Sequence, residues 1–85
     1  MEYDFLLDVI LPKVQALQSE ILKNKVGHIH VDGGYYCCSG RTGFDVNIFD
    51  DSPKIIFSTS FTNVEDEEVL GEKYNKLYEF VHKMI

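Results

Sequence analysis

The hydrophobic period of this chain changes twice, and that succession limits what it can fold into more than any single motif. Leu6, Ile10, Val14, Leu17 and Ile21 recur at steps of three and four, which is the stripe of an amphipathic helix. From Val26 the apolar residues alternate with polar ones, the period of a half-buried strand. Beyond Glu65 the helical period returns in Leu70, Tyr74, Leu77, Val81 and Met84. Each helix has one apolar stripe to bury, and the strands between them have one clearly apolar face. Packing both helices on that face satisfies all three and leaves the other face open. The expected fold class is α+β, with two helices packed on one face of a three- or four-stranded antiparallel meander, in the order α-β-β-(β)-β-α. It forms a single domain over residues 1–85.

Within the first stripe, Val9 and Leu22 widen the apolar face, and Pro12 interrupts it. Proline there removes the hydrogen bond to the Asp8 carbonyl, at a cost of ~3 kcal/mol. The stripe keeps its phase across Pro12, which favours a helix kinked near Asp8 over one that begins at Pro12. Asn24 and Gly27 supply the stop.

The segment His28-Ile29-His30-Val31-Asp32-Gly33-Gly34-Tyr35-Tyr36-Cys37-Cys38 holds most of the chemically versatile side chains. Asp32-Gly33-Gly34-Tyr35 is a strong hairpin signal, because both central glycines accept positive φ. A two-glycine loop sets Asp32 opposite Tyr35, Val31 opposite Tyr36, His30 opposite Cys37 and Ile29 opposite Cys38. Ile29, Val31, Tyr36 and Cys38 then face the core, while His28, His30, Asp32, Tyr35 and Cys37 line the open face. The main alternative is a three-stranded sheet with residues Tyr35 to Ser39 irregular.

Gly40-Arg41-Thr42-Gly43 reads as the next turn. Phe44, Val46 and Ile48 alternate with Asp45, Asn47 and Phe49 as a further strand. Asp50-Asp51-Ser52-Pro53 turns the chain into a last strand, Ile55 to Phe61. A four-residue loop there pairs Ile48 with Ile55 and Val46 with Phe57. Thr62-Asn63-Val64-Glu65 has the spacing of a capping box, and Glu65, Asp66, Glu67 and Glu68 suit the positive end of the helix that follows.

Eight Lys+Arg against 14 Asp+Glu give a net charge of −6. That balance disfavours direct binding of nucleic acid and favours a basic protein partner. The acidic start Met1-Glu2-Tyr3-Asp4 is unlike a secretory signal, and no apolar run approaches the ~18 residues that span a bilayer. Two adjacent cysteines do not make a disulfide framework, so the expected setting is cytoplasmic with reduced thiols.

Three candidate chemistries follow. His28 and His30, two residues apart on one side of a strand, with Cys37 opposite His30 and Asp32 nearby, have donor types that suit zinc. The HxHxD string resembles the metal motif of metallo-β-lactamase-type hydrolases, but the histidine that follows the aspartate in that motif is missing here, and the hydrolase function is not carried over. Cys37 beside His30 has the makings of a thiolate–imidazole pair, but nothing in the sequence identifies an oxyanion site or a substrate pocket to complete a catalyst. Arg41, the single arginine, stands between two glycines and suits a partner's carboxylate.

The broader expectation is a non-enzymatic binding protein. Tyr35, Phe49 and Ile56 among His28, His30, Asn47, Ser58 and Ser60 give the open face the composition of an interface. Partner contacts are expected from His28, His30, Asp32, Tyr35, Arg41, Asp45, Asn47, Phe49 and the acidic group Glu65, Asp66, Glu67 and Glu68. The last strand, free of charge and proline from Ile55 to Phe61, is an edge suited to a homodimer or to a partner's strand. In size, charge and architecture the chain resembles acidic immunity proteins and small phage-encoded inhibitors of host nucleases or defence complexes. That resemblance implies an inhibitor or regulator docked on a larger basic protein or nucleoprotein. A metal-binding protein and a homo-oligomeric structural subunit are the alternatives.

Overall fold

The computed structural model describes residues 4–36, 38 and 40–85, with the backbone alone at Tyr36. A π-helical segment, Leu6–Ile10, runs directly into helix α1, Leu11–Asn24. Strands β1 (His28–Tyr36), β2 (Arg41–Phe49) and β3 (Ile55–Thr62) follow, and helix α2 (Glu67–Met84) closes the chain. The sheet has the order β1-β2-β3 and both pairings are antiparallel, so the α+β meander is three-stranded. No helix among the described residues is long and apolar enough to cross a membrane.

The disturbance expected from Pro12 sits where the sequence places it, but it takes the form of wider winding. The Leu11 N–H reaches back five residues to the Leu6 carbonyl, and Pro12 falls in the first turn of the α-helical stretch, where a missing N–H costs little. The stripe therefore survives: Leu6, Ile10, Val14, Leu17 and Ile21 are all buried. Leu22 does not widen it and is 61% exposed. Lys25, at φ 56°, takes the left-handed position that ends α1, and its N–H caps the Ile21 carbonyl. Gly27 follows at φ 138°, and a Cβ there would stand 2.7 Å from the Phe49 carbonyl oxygen, so no other residue fits between the helix end and the sheet.

The two-glycine hairpin is not formed. Gly33 and Gly34 lie inside β1, neither with positive φ, and the strand continues to Tyr36 before it turns through Gly40 at φ 68°. The consequence is a different register: Asp32 pairs with Asp45, Val31 with Val46, His30 with Asn47 and Ile29 with Ile48. The longer ladder places Gly33 beside Phe44 and Gly34 beside Gly43. Cys38 sits exposed in the turn rather than anchoring the core, and Cys37 lies outside the described residues. Gly40-Arg41-Thr42-Gly43 is likewise mostly strand, with Arg41 opening β2.

The β2–β3 register also differs from expectation. Ile48 pairs with Phe57, Val46 with Thr59 and Phe44 with Phe61, with a bulge beside Ile48 and Phe49. Asp50 causes the longer connection. Its Oδ1 accepts from the Ser52 N–H at 2.9 Å, the Ser52 hydroxyl at 2.6 Å and the Lys54 N–H at 2.8 Å, while the Lys54 carbonyl accepts from the Asp50 N–H. These bonds, the Ser52 hydroxyl's foremost, hold the Asp50 carboxyl below its usual range. Ile55 comes to lie opposite Phe49 and is 54% exposed instead of packed inward.

Both helices cover the face that carries Ile29, Phe44, Val46, Ile48 and Phe61, and Leu70, Leu77 and Val81 of α2 complete the buried core with the α1 stripe. Phe44 stacks on Phe61 with ring centres 5.2 Å apart, and Phe57 meets Phe80 at 4.8 Å. Each fully buried side chain of this size contributes roughly 1.5–3 kcal/mol. Helix α2 begins four residues later than the Thr62 signal suggests. Asp66 is the N-cap, its Oδ1 accepting from the Val69 N–H at 2.9 Å, while Thr62 ends β3 and donates to Glu65 Oε1 at 3.2 Å.

Candidate functional site

The face turned away from the helices is organised by the register into cross-strand rows. His28, Phe49 and Ile55 form the first, then His30, Asn47 and Ser58, then Asp32, Asp45 and Ser60, and finally Gly34, Gly43 and Thr62. Alternation along β1 and β2 is what puts these side chains on one surface, since it carries Ile29, Val46 and Ile48 to the other.

The first two rows combine aromatic and hydrogen-bonding character. His30 meets the Phe49 ring edge-on, with centres 5.4 Å apart and planes at 77°. Asn47 Oδ1 accepts from the Ser58 hydroxyl at 2.8 Å, which fixes the amide and leaves its NH2 toward solvent or a ligand. A shallow depression of about 290 Å³ is lined by His28, His30, Phe49 and Pro53. Ile55, paired with Phe49, and Ile56 are both exposed beside the bulge in β3.

The third row is electrostatically unusual. Asp32 and Asp45 are exposed and directly opposite one another, and among the described residues neither has an ion-pair partner. Like charges in this relation destabilise a sheet by a few tenths to ~1 kcal/mol. Beside them the glycine pair Gly34–Gly43 leaves the sheet bare. Gly43 is forced by proximity: a Cβ there would lie 2.6 Å from the Phe61 carbonyl oxygen. Gly33 and Gly34 are under no such pressure, since a Cβ meets nothing closer than 3.5 Å at Gly33 and nothing within 4 Å at Gly34.

Of the residues expected to contact a partner, His28, His30, Asp32, Asp45, Asn47 and Phe49 share this face, and Arg41 joins it at the hairpin end as the residue paired with Tyr36. Tyr35 does not. With no turn at the glycines it takes the phase of Val31, on the helix side of the sheet, and is 65% exposed there. The acidic group belongs to the helix layer and is already partly committed. Both carboxylate oxygens of Glu65 hold the Lys73 ammonium, Oε1 and Oε2 each 2.7 Å from Nζ. Asp66 caps α2, and Glu67 and Glu68 are exposed first-turn charges with no ion-pair partner among the described residues.

His28 and His30 keep the common side that a zinc site requires, but Asn47 rather than Cys37 stands opposite His30. Among the described residues, no three His, Cys, Asp or Glu side chains come together as a metal-holding group. The β3 edge expected for pairing is partly closed: Lys73 Nζ donates to the outward Ser60 carbonyl at 2.9 Å. Lys73 carried no sequence signal for this role, because its two acceptors lie thirteen and eight residues away in the chain. No protein-family model matches the chain, and no curated protein matches it.

Proposed function

We propose that the protein is a non-enzymatic binding protein whose open sheet face docks on a larger basic protein or nucleoprotein, as an inhibitor or regulator of the immunity-protein or anti-defence kind. The observation that carries this reading is the Asp32–Asp45 row on an uncovered face. Two like charges held opposite each other cost the isolated fold something and return nothing to it. A partner's Lys or Arg placed between them removes the repulsion and gains two charge-assisted hydrogen bonds. The neighbouring His30–Phe49 pair and the exposed Ile55 and Ile56 supply the apolar contact that an interface core needs. The net charge of −6 steers a basic partner toward the surface from a distance.

Affinity capture from the native host tests the reading. A basic protein retained at low ionic strength and released as salt is raised is the expected result. Recovery of the bait alone at every ionic strength contradicts it.

A further inference from the structure

The β1 edge joins three features that the open face alone does not explain. The Asn63 N–H donates to the Thr42 carbonyl, so Thr42 points toward β3. Alternation then turns Gly43, Asp45 and Asn47 toward β1, and leaves the N–H and C=O groups of Val31, Gly33 and Tyr35 facing outward. The outward Ser60 carbonyl that Lys73 occupies on β3 obeys the same parity. Among the described residues no hydrogen bond satisfies the outward groups of β1, and no lysine covers them as Lys73 covers β3.

On the helix side of this edge lies an apolar groove of about 280 Å³, lined by Leu7, Leu11, Gln15, Val31, Phe44 and the bare Gly33. On the open side, at the same position, a smaller depression of about 110 Å³ is bordered by Asp32 and Asp45. The glycines are what open the sheet on both sides, and packing does not require a glycine at 33 or 34.

An extended segment laid along β1 would place successive side chains on opposite faces. The residue opposite Gly33 enters the apolar groove, and the one opposite Asp32 meets the carboxylates. We infer that the β1 edge at Val31–Tyr35 accepts an extended segment of the basic partner as a fourth strand, reading an alternation of apolar residues with Lys or Arg. This inference rests on the docking role proposed above and names the part of the partner that is recognised.

The test uses the ¹⁵N-labelled full chain and a blocked eight-residue peptide of alternating lysine and valine. A control peptide is N-methylated on every amide of its pairing edge, which keeps the charge and removes the donors. Slowed amide exchange at Val31, Gly33 and Tyr35, with the control binding roughly tenfold or more weakly, is the expected result. A Cβ at position 33 makes only ordinary contacts at 3.5 Å, so Gly33→Val should keep or raise the melting temperature while it fills the groove and weakens the peptide by at least roughly tenfold. Protection on β3 instead of β1, undiminished binding by Gly33→Val, or no binding of the peptide each overturns the inference. Equal binding of both peptides, with shifts confined to the open face, also overturns it and leaves the face-docking role standing.

Discussion

Asp50 shows how one side chain can set the geometry of a whole strand pair. Three hydrogen bonds to its Oδ1 tie the β2–β3 connection and fix where β3 begins. They also depress its pKa relative to an unfolded chain, so the stabilisation it gives is complete above the unfolded carboxylate value, about 3.9, and is lost as pH falls through the lower folded value. Asp50→Asn keeps an acceptor and removes the titration. Thermal melts of the two proteins should therefore converge as the pH is lowered below about 4, with wild type the more stable at neutral pH. At the glycines, space decides the outcome. Gly43→Ala drives a Cβ into the Phe61 backbone and should cost roughly 1–3 kcal/mol by urea unfolding, whereas Gly33→Val should be neutral or gain up to ~1 kcal/mol from strand propensity. A large loss at Gly33 would mean that the position is structural.

Among the elements, the two helices were legible in the sequence because an apolar stripe is a local property of the residues that carry it. The hairpin was not. Asp32-Gly33-Gly34-Tyr35 has strong turn chemistry, but a turn preference is worth little against a ladder that joins nine residues of β1 to β2 and buries Ile29, Val46 and Ile48 together. The placement of His28, His30, Asp45, Asn47 and Phe49 depended only on alternation, and it survived. Tyr35 and Cys38 depended on the turn, and both moved. The Asp32–Asp45 row needed the register itself, which no local signal supplies. At α2 the capping signals competed in the same way. Thr62 matches the box spacing, yet Asp66 makes the cap because Thr62 is held in the last rung of β3. Asp66→Ala should cost ~1 kcal/mol in thermal or urea melts, and Thr62→Ala a smaller amount; the reverse order would restore the earlier helix start. Lys73→Met should cost ~1 kcal/mol, a modest figure because the Lys73–Glu65 pair is partly exposed. It also uncovers the Ser60 carbonyl, so a rise in self-association by light scattering should accompany it.

For the molecule as a whole, the division of labour follows from putting both helices on one side of a three-stranded sheet. One face supplies nearly all the buried apolar area, and the other is free to carry groups that the fold does not need. Such groups are there: two opposed carboxylates, an edge-on His30–Phe49 pair and exposed Ile55 and Ile56, on a chain with net charge −6. Stability and binding should then respond in opposite directions to the same change. The role of the opposed carboxylates is tested most sharply by affinity for the captured basic partner in wild type and in the double variant Asp32→Asn, Asp45→Asn, with the melting temperature of each free chain recorded alongside. Binding weakened by roughly tenfold or more, with a melting temperature equal to or above that of wild type, is the expected result. Undiminished affinity in the double variant would contradict it.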